Sequence, residues 1–246
     1  MDTLDDTTAV VTGASSGIGR ATAHELAKRG ASLTLVARRE TRLQTIASDL
    51  DERYGADVLV HPGSVRERET SDAAVDRTVD RFGGVDVVVA NAGVGRGGDV
   101  ATMTDDEYRA MQETNVDGTF YLVRAALPEL VDAQGTLVVV GSFAGKFPRP
   151  FNPVYAATKH WVRGFAHSVA AQYGGEGLAV SVINPSEVRT EFGSEDGDPF
   201  EERFEPGSVT EPAEIAEAVA FAVESEPSVP QEIDLYRRDK FSDTLS

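Results

Sequence analysis

The chain contains no cysteine. That absence excludes a disulfide framework, a thiolate nucleophile and a thiolate metal site. Lysine is scarce as well: Lys28, Lys146, Lys159 and Lys240 are the only lysines, and every other strongly basic residue is arginine. There is no basic stripe to neutralise phosphates, and the formal charge is −18, which argues against nucleic-acid or anionic-membrane binding. No apolar run approaches the length needed to span a bilayer. The N-terminus, MDTLDDTTAVV, carries acid where a secretory signal carries base, so a cytoplasmic protein is expected. Abundant Asp and Glu, few lysines and no cysteine together look like proteins of salt-loving organisms. In molar salt the screening length shortens to about 3 Å, so a self-repelling acidic surface becomes tolerable.

What is present is a regular alternation. At 246 residues the chain can bury a substantial core, and no composition break divides it, so residues 1–246 read as one domain. Apolar runs at 8–13, 32–37, 56–61, 85–93, 135–142, 178–185 and 232–235 read as strands. Helix-length segments at 17–29, 40–54, 66–82, 105–132, 154–173 and 211–224 separate them. Near-continuous apolar strands between helices imply a parallel sheet buried on both faces. The expected fold class is therefore α/β, a doubly wound Rossmann-type parallel sheet of about seven strands with helices on both faces. The long irregular stretch 186–209 follows the sixth strand at the carboxyl edge of the sheet, where ligands bind, and is expected to form a substrate lid.

Directly after the first strand comes TGASSGIG, residues 12–19. Gly13, Gly17 and Gly19 permit a tight turn, close backbone approach to a pyrophosphate and close helix packing, with the phosphate at a helix N-terminus. Further along stand ANAG at 90–93, Asn115 in TNVDG, Ser142, and YAATKHW at 155–161. Tyr155 and Lys159 lie one helical turn apart and share a face. An ammonium there favours the phenolate, so it is expected to lower the tyrosine pKa and let the phenol work in both directions.

In order and spacing, these motifs resemble the short-chain dehydrogenase/reductase family over nearly the whole chain. The resemblance implies a single-domain Rossmann fold, NAD or NADP as cofactor, and a homodimer or homotetramer. It implies Tyr155 as acid/base, Ser142 as the group that orients and polarises the carbonyl, and Lys159 as the residue that tunes the tyrosine and binds the nicotinamide ribose. Asn115 completes the set by helping to hold a relay water. For the cofactor it implies Gly13, Ser15, Ser16, Gly17, Ile18 and Gly19 at the phosphates and Asn91, Ala92 and Gly93 at the ribose. The aligned Asp–Val pair is Ser64–Val65 here, so a modified adenine contact is expected. In PSEVRT, Pro185, Val188 and Thr190 match the segment that grips the nicotinamide, while Ser186 replaces a glycine; serine would be strained at positive φ, so the turn is expected to adjust.

NAD enzymes commonly place an acid at the end of strand two. Here LVARRE puts Ala37 at that position, followed by Arg38 and Arg39, whose guanidinium groups suit a 2′-phosphate. NADP(H) is therefore expected. The segment ending in TEF and the tail VPQEIDLYRR are similar to family members acting on small 3-hydroxy acids and related alcohols. A carboxylate substrate would need local base, for which Arg96, Arg149 and Arg189 are candidates. Phe192, Phe200 and Phe204 are candidates to line the substrate pocket. No metal site is expected, because His160 and His167 have neither a carboxylate nor a third histidine beside them in sequence. Trp161 is expected to pack in a helix interface.

The leading expectation is an NADP(H)-dependent oxidoreductase interconverting a secondary alcohol or hydroxy acid with its carbonyl. The alternative is a non-catalytic NADP-sensing regulatory module, which would not need Tyr155, Lys159, Ser142 and Asn115. Epimerase or dehydratase chemistry on a nucleotide sugar usually comes with a larger substrate region than this chain offers.

Overall fold

The computed structural model describes residues 4–96, 98–193 and 198–241. Seven parallel strands form one sheet in the order β3-β2-β1-β4-β5-β6-β7. They are β1 (Thr8–Thr12), β2 (Ser32–Ala37), β3 (Val58–Pro62), β4 (Val87–Ala90), β5 (Thr136–Val140), β6 (Ala179–Pro185) and β7 (Glu232–Leu235). The helices are α1 (Gly17–Lys28), α2 (Glu40–Tyr54), α3 (Arg68–Phe82), α4 (Asp105–Met111), α5 (Gly118–Asp132), α6 (Pro153–Tyr173), the single turn α7 (Phe200–Arg203) and α8 (Pro212–Glu224). This is the expected doubly wound α/β architecture.

The continuous apolar runs make physical sense in this sheet. Side chains alternate along a strand, so Ala9 and Val11 enter the core under α1, α2 and α8, while Val10 enters the core under α3, α5 and α6. Val87 and Val89 join the first core; Val88 and Ala90 join the second. Both faces are covered, and a polar residue on either would be buried. The strand order reverses between β2 and β4 on either side of β1, which opens a crevice at the carboxyl ends of the strands.

Local signals place most helix ends. Asn152 caps α6 by accepting from Tyr155 N at 3.2 Å, and Pro153 occupies the first turn, where its missing N–H costs nothing. Glu211 and Glu214 form a reciprocal capping box at α8. The segment expected to be one helix over 105–132 is interrupted: a π-helical turn at Gln112–Asp117 separates α4 from α5. Its extra residue per turn turns Asn115 inward onto the loop after β4, a long-range bond that periodicity does not reveal.

Three other expectations differ from the structure. β4 ends at Ala90, so Asn91 to Gly93 leave the sheet. β3 runs over Val58–Pro62, later than the expected 56–61. Trp161 is 37% exposed and stacks on Phe165 with ring centroids 4.8 Å apart. Of the 186–209 stretch, residues 194–197 lie outside the described residues; the remainder includes α7 and a parallel bridge between Val188 and Thr210. Among the described residues no helix is long and apolar enough to cross a membrane.

Candidate active site

A cleft of about 440 Å³ runs along the carboxyl ends of the strands. Its floor is the turn between β1 and α1. Gly13 has φ of +66°, and a Cβ there would lie 2.7 Å from Asn91 Nδ2. A Cβ on Gly19 would lie 2.4 Å from the carbonyl oxygen of Gly13. Both positions require glycine, one for conformation and one for space. Ser16 precedes α1 without a side-chain cap, leaving the first amides of the helix for an anion. Ser15, Ser16, Gly17, Ile18, Arg38, Arg39, Ser64 and Val65 line the same cleft. The residues present thus fit a dinucleotide: a shaped glycine turn, uncapped helix amides and arginines, with no carboxylate at the end of β2.

Arg39, at the start of α2, is exposed yet engaged. It donates to Ser15 Oγ at 3.0 Å, to Ser16 Oγ at 2.8 Å and to Glu191 Oε2 at 2.8 Å. Arg42 donates to the other oxygen of Glu191 at 2.6 Å. The loop after β6 is therefore tied to the glycine turn by a carboxylate that sequence inspection does not single out.

On the other wall, Asn91 Nδ2 donates to Thr12 O at 2.8 Å. The Thr12 hydroxyl accepts from Asn91 N and Ala92 N at 3.1 and 3.2 Å. Thr12 was not among the sequence candidates, although it opens the TGASSGIG motif. Pro185 ends β6, Val188 is buried, and Thr190 Oγ1 accepts from Phe192 N at 3.2 Å while its methyl packs against the position a Cβ on Gly17 would take. Ser186 is not at positive φ, so the turn accommodates serine without strain, as expected. Its hydroxyl instead accepts from Arg237 N at 3.1 Å, using the C-terminal tail to hold the turn. The Ser64 hydroxyl accepts from Arg66 N at 3.3 Å.

The reactive groups meet at the centre of the cleft. Ser142 and Tyr155 line the cleft together, and Ser142 Oγ accepts from Ala144 N at 3.1 Å. Lys159, one turn below, is 5% exposed and donates to Val140 O at 2.9 Å; its Nζ lies 5.9 Å from the Tyr155 ring centroid. Asn115 Oδ1 accepts from Val94 N at 2.8 Å, and its Nδ2 donates to Val94 O at 2.9 Å and Thr158 Oγ1 at 3.0 Å. Gly93 is where Asn115 and Lys159 converge: Asn115 Oδ1 and Lys159 Nζ lie 3.4 and 3.5 Å from where its side chain would begin. Thr158, which donates on to Tyr155 O at 2.8 Å, was also missed, because its bond to Asn115 spans 43 residues.

The electrostatics differ from expectation. Burial pushes the Tyr155 phenol above its ordinary value, against the opposing effects of the Ser142 hydrogen bond and the Arg149 charge. Burial also pushes the Lys159 ammonium down to about 8. Desolvation leads in both groups, and the Lys159 ammonium is not among the influences that lower the phenol. A positive charge or hydrogen-bond donor arriving in the cleft is what would bring the phenol down.

The remaining candidates separate cleanly. Phe192 and Phe200 line the cleft, whereas Phe204 packs behind Phe200 at 5.6 Å. Arg189 is held by Glu211 at 3.1 Å, while Arg96 lines the cleft and Arg149 an adjoining cavity. His167 meets a carboxylate after all, that of Glu232, which lies 65 residues away in sequence.

Comparison with known proteins agrees with this geometry. The chain matches the short chain dehydrogenase family over residues 7–199. It is 33% identical over 232 residues to an uncharacterized oxidoreductase of Staphylococcus epidermidis, covering 93% of this chain and 95% of that protein. It is 36% identical over 185 residues to the sulfoacetaldehyde reductase of Chromohalobacter salexigens, covering 74% and 72%. Its structure is similar to an alcohol dehydrogenase from the archaeon Thermococcus sibiricus complexed with 5-hydroxy-NADP, with TM-score 0.87, 31% identity and coverage of 94% and 97%. By its fold, its glycine turn and this match along most of its length, the chain belongs to the short-chain dehydrogenase family.

Proposed function

We propose that this protein is an NADP(H)-dependent oxidoreductase that interconverts a secondary alcohol or hydroxy acid with the corresponding carbonyl, using Tyr155 as acid/base. The observation that carries the reading is that Ser142, Tyr155 and Lys159 meet in the dinucleotide cleft, with Lys159 buried one turn below the tyrosine. NADPH, when bound, supplies the hydride. Tyr155 gives its phenolic proton to the substrate oxygen during reduction and takes it back during oxidation. Ser142 donates a hydrogen bond that fixes and polarises the same oxygen. Lys159 favours the phenolate and binds the nicotinamide ribose. Asn115 holds the Val94 loop and completes a proton path toward Lys159.

Arg38 and Arg39 support NADP over NAD, since a guanidinium pairs well with a 2′-phosphate and the end of β2 has no acid to hold a 2′-hydroxyl. The neighbour solved with an NADP derivative supports the same choice. Relatives named as an alcohol dehydrogenase and an aldehyde reductase support carbonyl–alcohol chemistry. The remainder of the 186–209 loop, which carries Phe192 and Phe200 to the cleft, is read as the substrate lid. The acidic, lysine-poor composition supports a cytoplasmic protein adapted to high salt. Exposed Tyr108, Phe120 and Trp161 on α4, α5 and α6 support a homodimer or homotetramer.

The test is a carbonyl and alcohol panel assayed with NADPH and NADH at low and molar potassium chloride. Turnover with NADPH preferred is the expected result. Tight NADPH binding with no turnover across the panel would replace this reading with the sensing module.

A further inference from the structure

A second cavity of about 380 Å³ adjoins the dinucleotide cleft at Ser142 and Tyr155, which line both. Its wall is largely aromatic, with Phe143, Phe151, Phe192 and Phe200. Charged groups also open onto it, and Arg149 stands out among them. Its guanidinium carbon lies 4.3 Å from the ring centroid of Phe151 and 5.6 Å from that of Phe143. Stacking of this kind strips water from the faces of the guanidinium and fixes its plane, leaving the N–H edge to meet a planar or tetrahedral oxyanion.

We propose that Arg149 receives an anionic group of the substrate, so that the compound turned over at Tyr155 is a small oxo or hydroxy compound carrying one carboxylate or sulfonate. This rests on the oxidoreductase reading above and names its substrate class.

The charge count favours an anion here. Among the described residues the ion-pair partner of Arg149 is Glu187, at 3.7 Å, too far for a hydrogen bond. That carboxylate already accepts from the Lys240 ammonium, so Arg149, Lys240 and Glu187 together leave one positive charge. Arg203 and Asp198, which line the same cavity, balance each other. The charged groups lining the cavity thus cancel, and Lys240, which neutralises Glu187 from outside the lining, leaves the described cluster one positive charge in a protein of formal charge −18. At long range such a protein repels anions, so a desolvated cation at the site is what makes an anionic substrate bindable. The Arg149 charge also reaches the reacting group, because it favours the Tyr155 phenolate. Arg149 and Tyr155 line the same cavity, so an anion seated on Arg149 shares the space in which the carbonyl meets Tyr155. Of the other candidates, Arg189 is engaged with Glu211, and Arg96 lines the dinucleotide cleft and not this cavity.

The test compares acetoacetate and 2-oxopropane-1-sulfonate with the uncharged 4-hydroxy-2-butanone, using NADPH and the intact protein. Wild type is expected to favour the anions, and R149Q to lose about 10- to 100-fold in kcat/KM for them, the range for one charge-assisted hydrogen-bonding group. R149Q should cost the uncharged ketone far less than the anions, since the ketone loses only the Arg149 charge felt by the Tyr155 phenol, and R149K should recover part of the loss for the anions. The ratio between carboxylate and sulfonate then identifies which oxyanion the site prefers. A calorimetric titration of acetoacetate into the NADP⁺-loaded protein provides a second readout that needs no turnover. Binding that weakens in R149Q, with no substrate reduced by wild type, would keep the anion site and overturn the oxidoreductase reading. Wild type without preference for the anions, equal losses for charged and uncharged ketones, or acetoacetate binding unchanged by R149Q would overturn the proposal.

Discussion

Arg39 Nη1 donates to Glu191 Oε2 at 2.8 Å, joining the start of α2 to the loop after β6 across 152 residues of sequence. The same guanidinium holds Ser15 and Ser16 of the glycine turn. An acid paired with the arginine proposed to meet a 2′-phosphate must either move or be repelled when that phosphate binds. Glu191→Gln is therefore expected to tighten NADPH binding several-fold and leave NADH unchanged. Arg39→Ala should weaken NADPH by about 10- to 100-fold, the loss of one charge-assisted hydrogen-bonding group, and again spare NADH. Fluorescence titration with both nucleotides measures this; an equal effect on NADPH and NADH would remove Arg39 from the phosphate site.

Tyr155→Phe keeps the ring and its 5.7 Å contact with Phe192 but removes the proton. General acid–base groups contribute about 10²- to 10⁴-fold, so turnover should fall by that factor while NADPH affinity holds. Near-full activity in this variant would refute the assignment of Tyr155.

Lys159 offers an unusually clean titration. The chain has only Lys28, Lys146, Lys159 and Lys240, so ¹³Cε-lysine NMR gives few resonances to assign. In the ligand-free protein one of them, absent from Lys159→Met, should titrate near 8, while Lys146 titrates above 10.5 because Asp234 and Glu232 hold its ammonium. Since the folded value of Lys159 is depressed, the unfolded chain binds its proton more tightly, and this group costs stability below pH 8 that is regained as pH rises toward 10.5. A set of four resonances all titrating above 10 would contradict the buried environment.

How much of this was readable from residues alone depends on sequence distance. TGASSGIG, the apolar strands and the Tyr155–Lys159 spacing are local patterns; each element formed where its pattern placed it, with β3 and β4 shifted by a few residues at their ends. The bonds that shape the site are not local. Asn115 reaches Val94 through a π turn, Thr158 reaches Asn115, and Arg39 reaches Glu191. Helical periodicity read Gln112–Asp117 as ordinary α-helix because nothing in those residues alone forbids it. The tyrosine pKa went the wrong way for a similar reason. Spacing reveals a charge nearby, but burial, which decides the sign here, belongs to the tertiary structure.

Asn152→Ala tests how α6 presents Tyr155. The Asn152 side chain accepts from the backbone N–H of Tyr155 itself, so its loss frays the turn that carries the phenol. Removing such a cap costs about 1 kcal/mol, or about 2–4 °C in Tm for a chain of this size. If the cap positions the phenol, kcat falls more than KM rises, and Asn152→Asp, which can still accept, restores both. A lowered Tm with kcat intact would make the cap purely structural.

Glu232 is the remaining test, because one carboxylate at the start of β7 gathers three basic side chains. Lys146 donates to it at 2.7 Å, and Arg163 and His167 share its other oxygen. These bonds outweigh its desolvation and hold the carboxyl down at about 2. The sign follows from a depressed acid: its contribution is complete above the ordinary 4.5 and is lost as pH falls from there toward about 2. Glu232→Gln strands partly buried cations, so its cost at neutral pH should approach the lower end of the about 3–5 kcal/mol seen when a buried pair is broken. Urea unfolding of both proteins from pH 7 to pH 3 measures it. The two stability curves should converge as the pH falls, and curves that stay parallel would show that the Glu232 charge is not what holds this cluster.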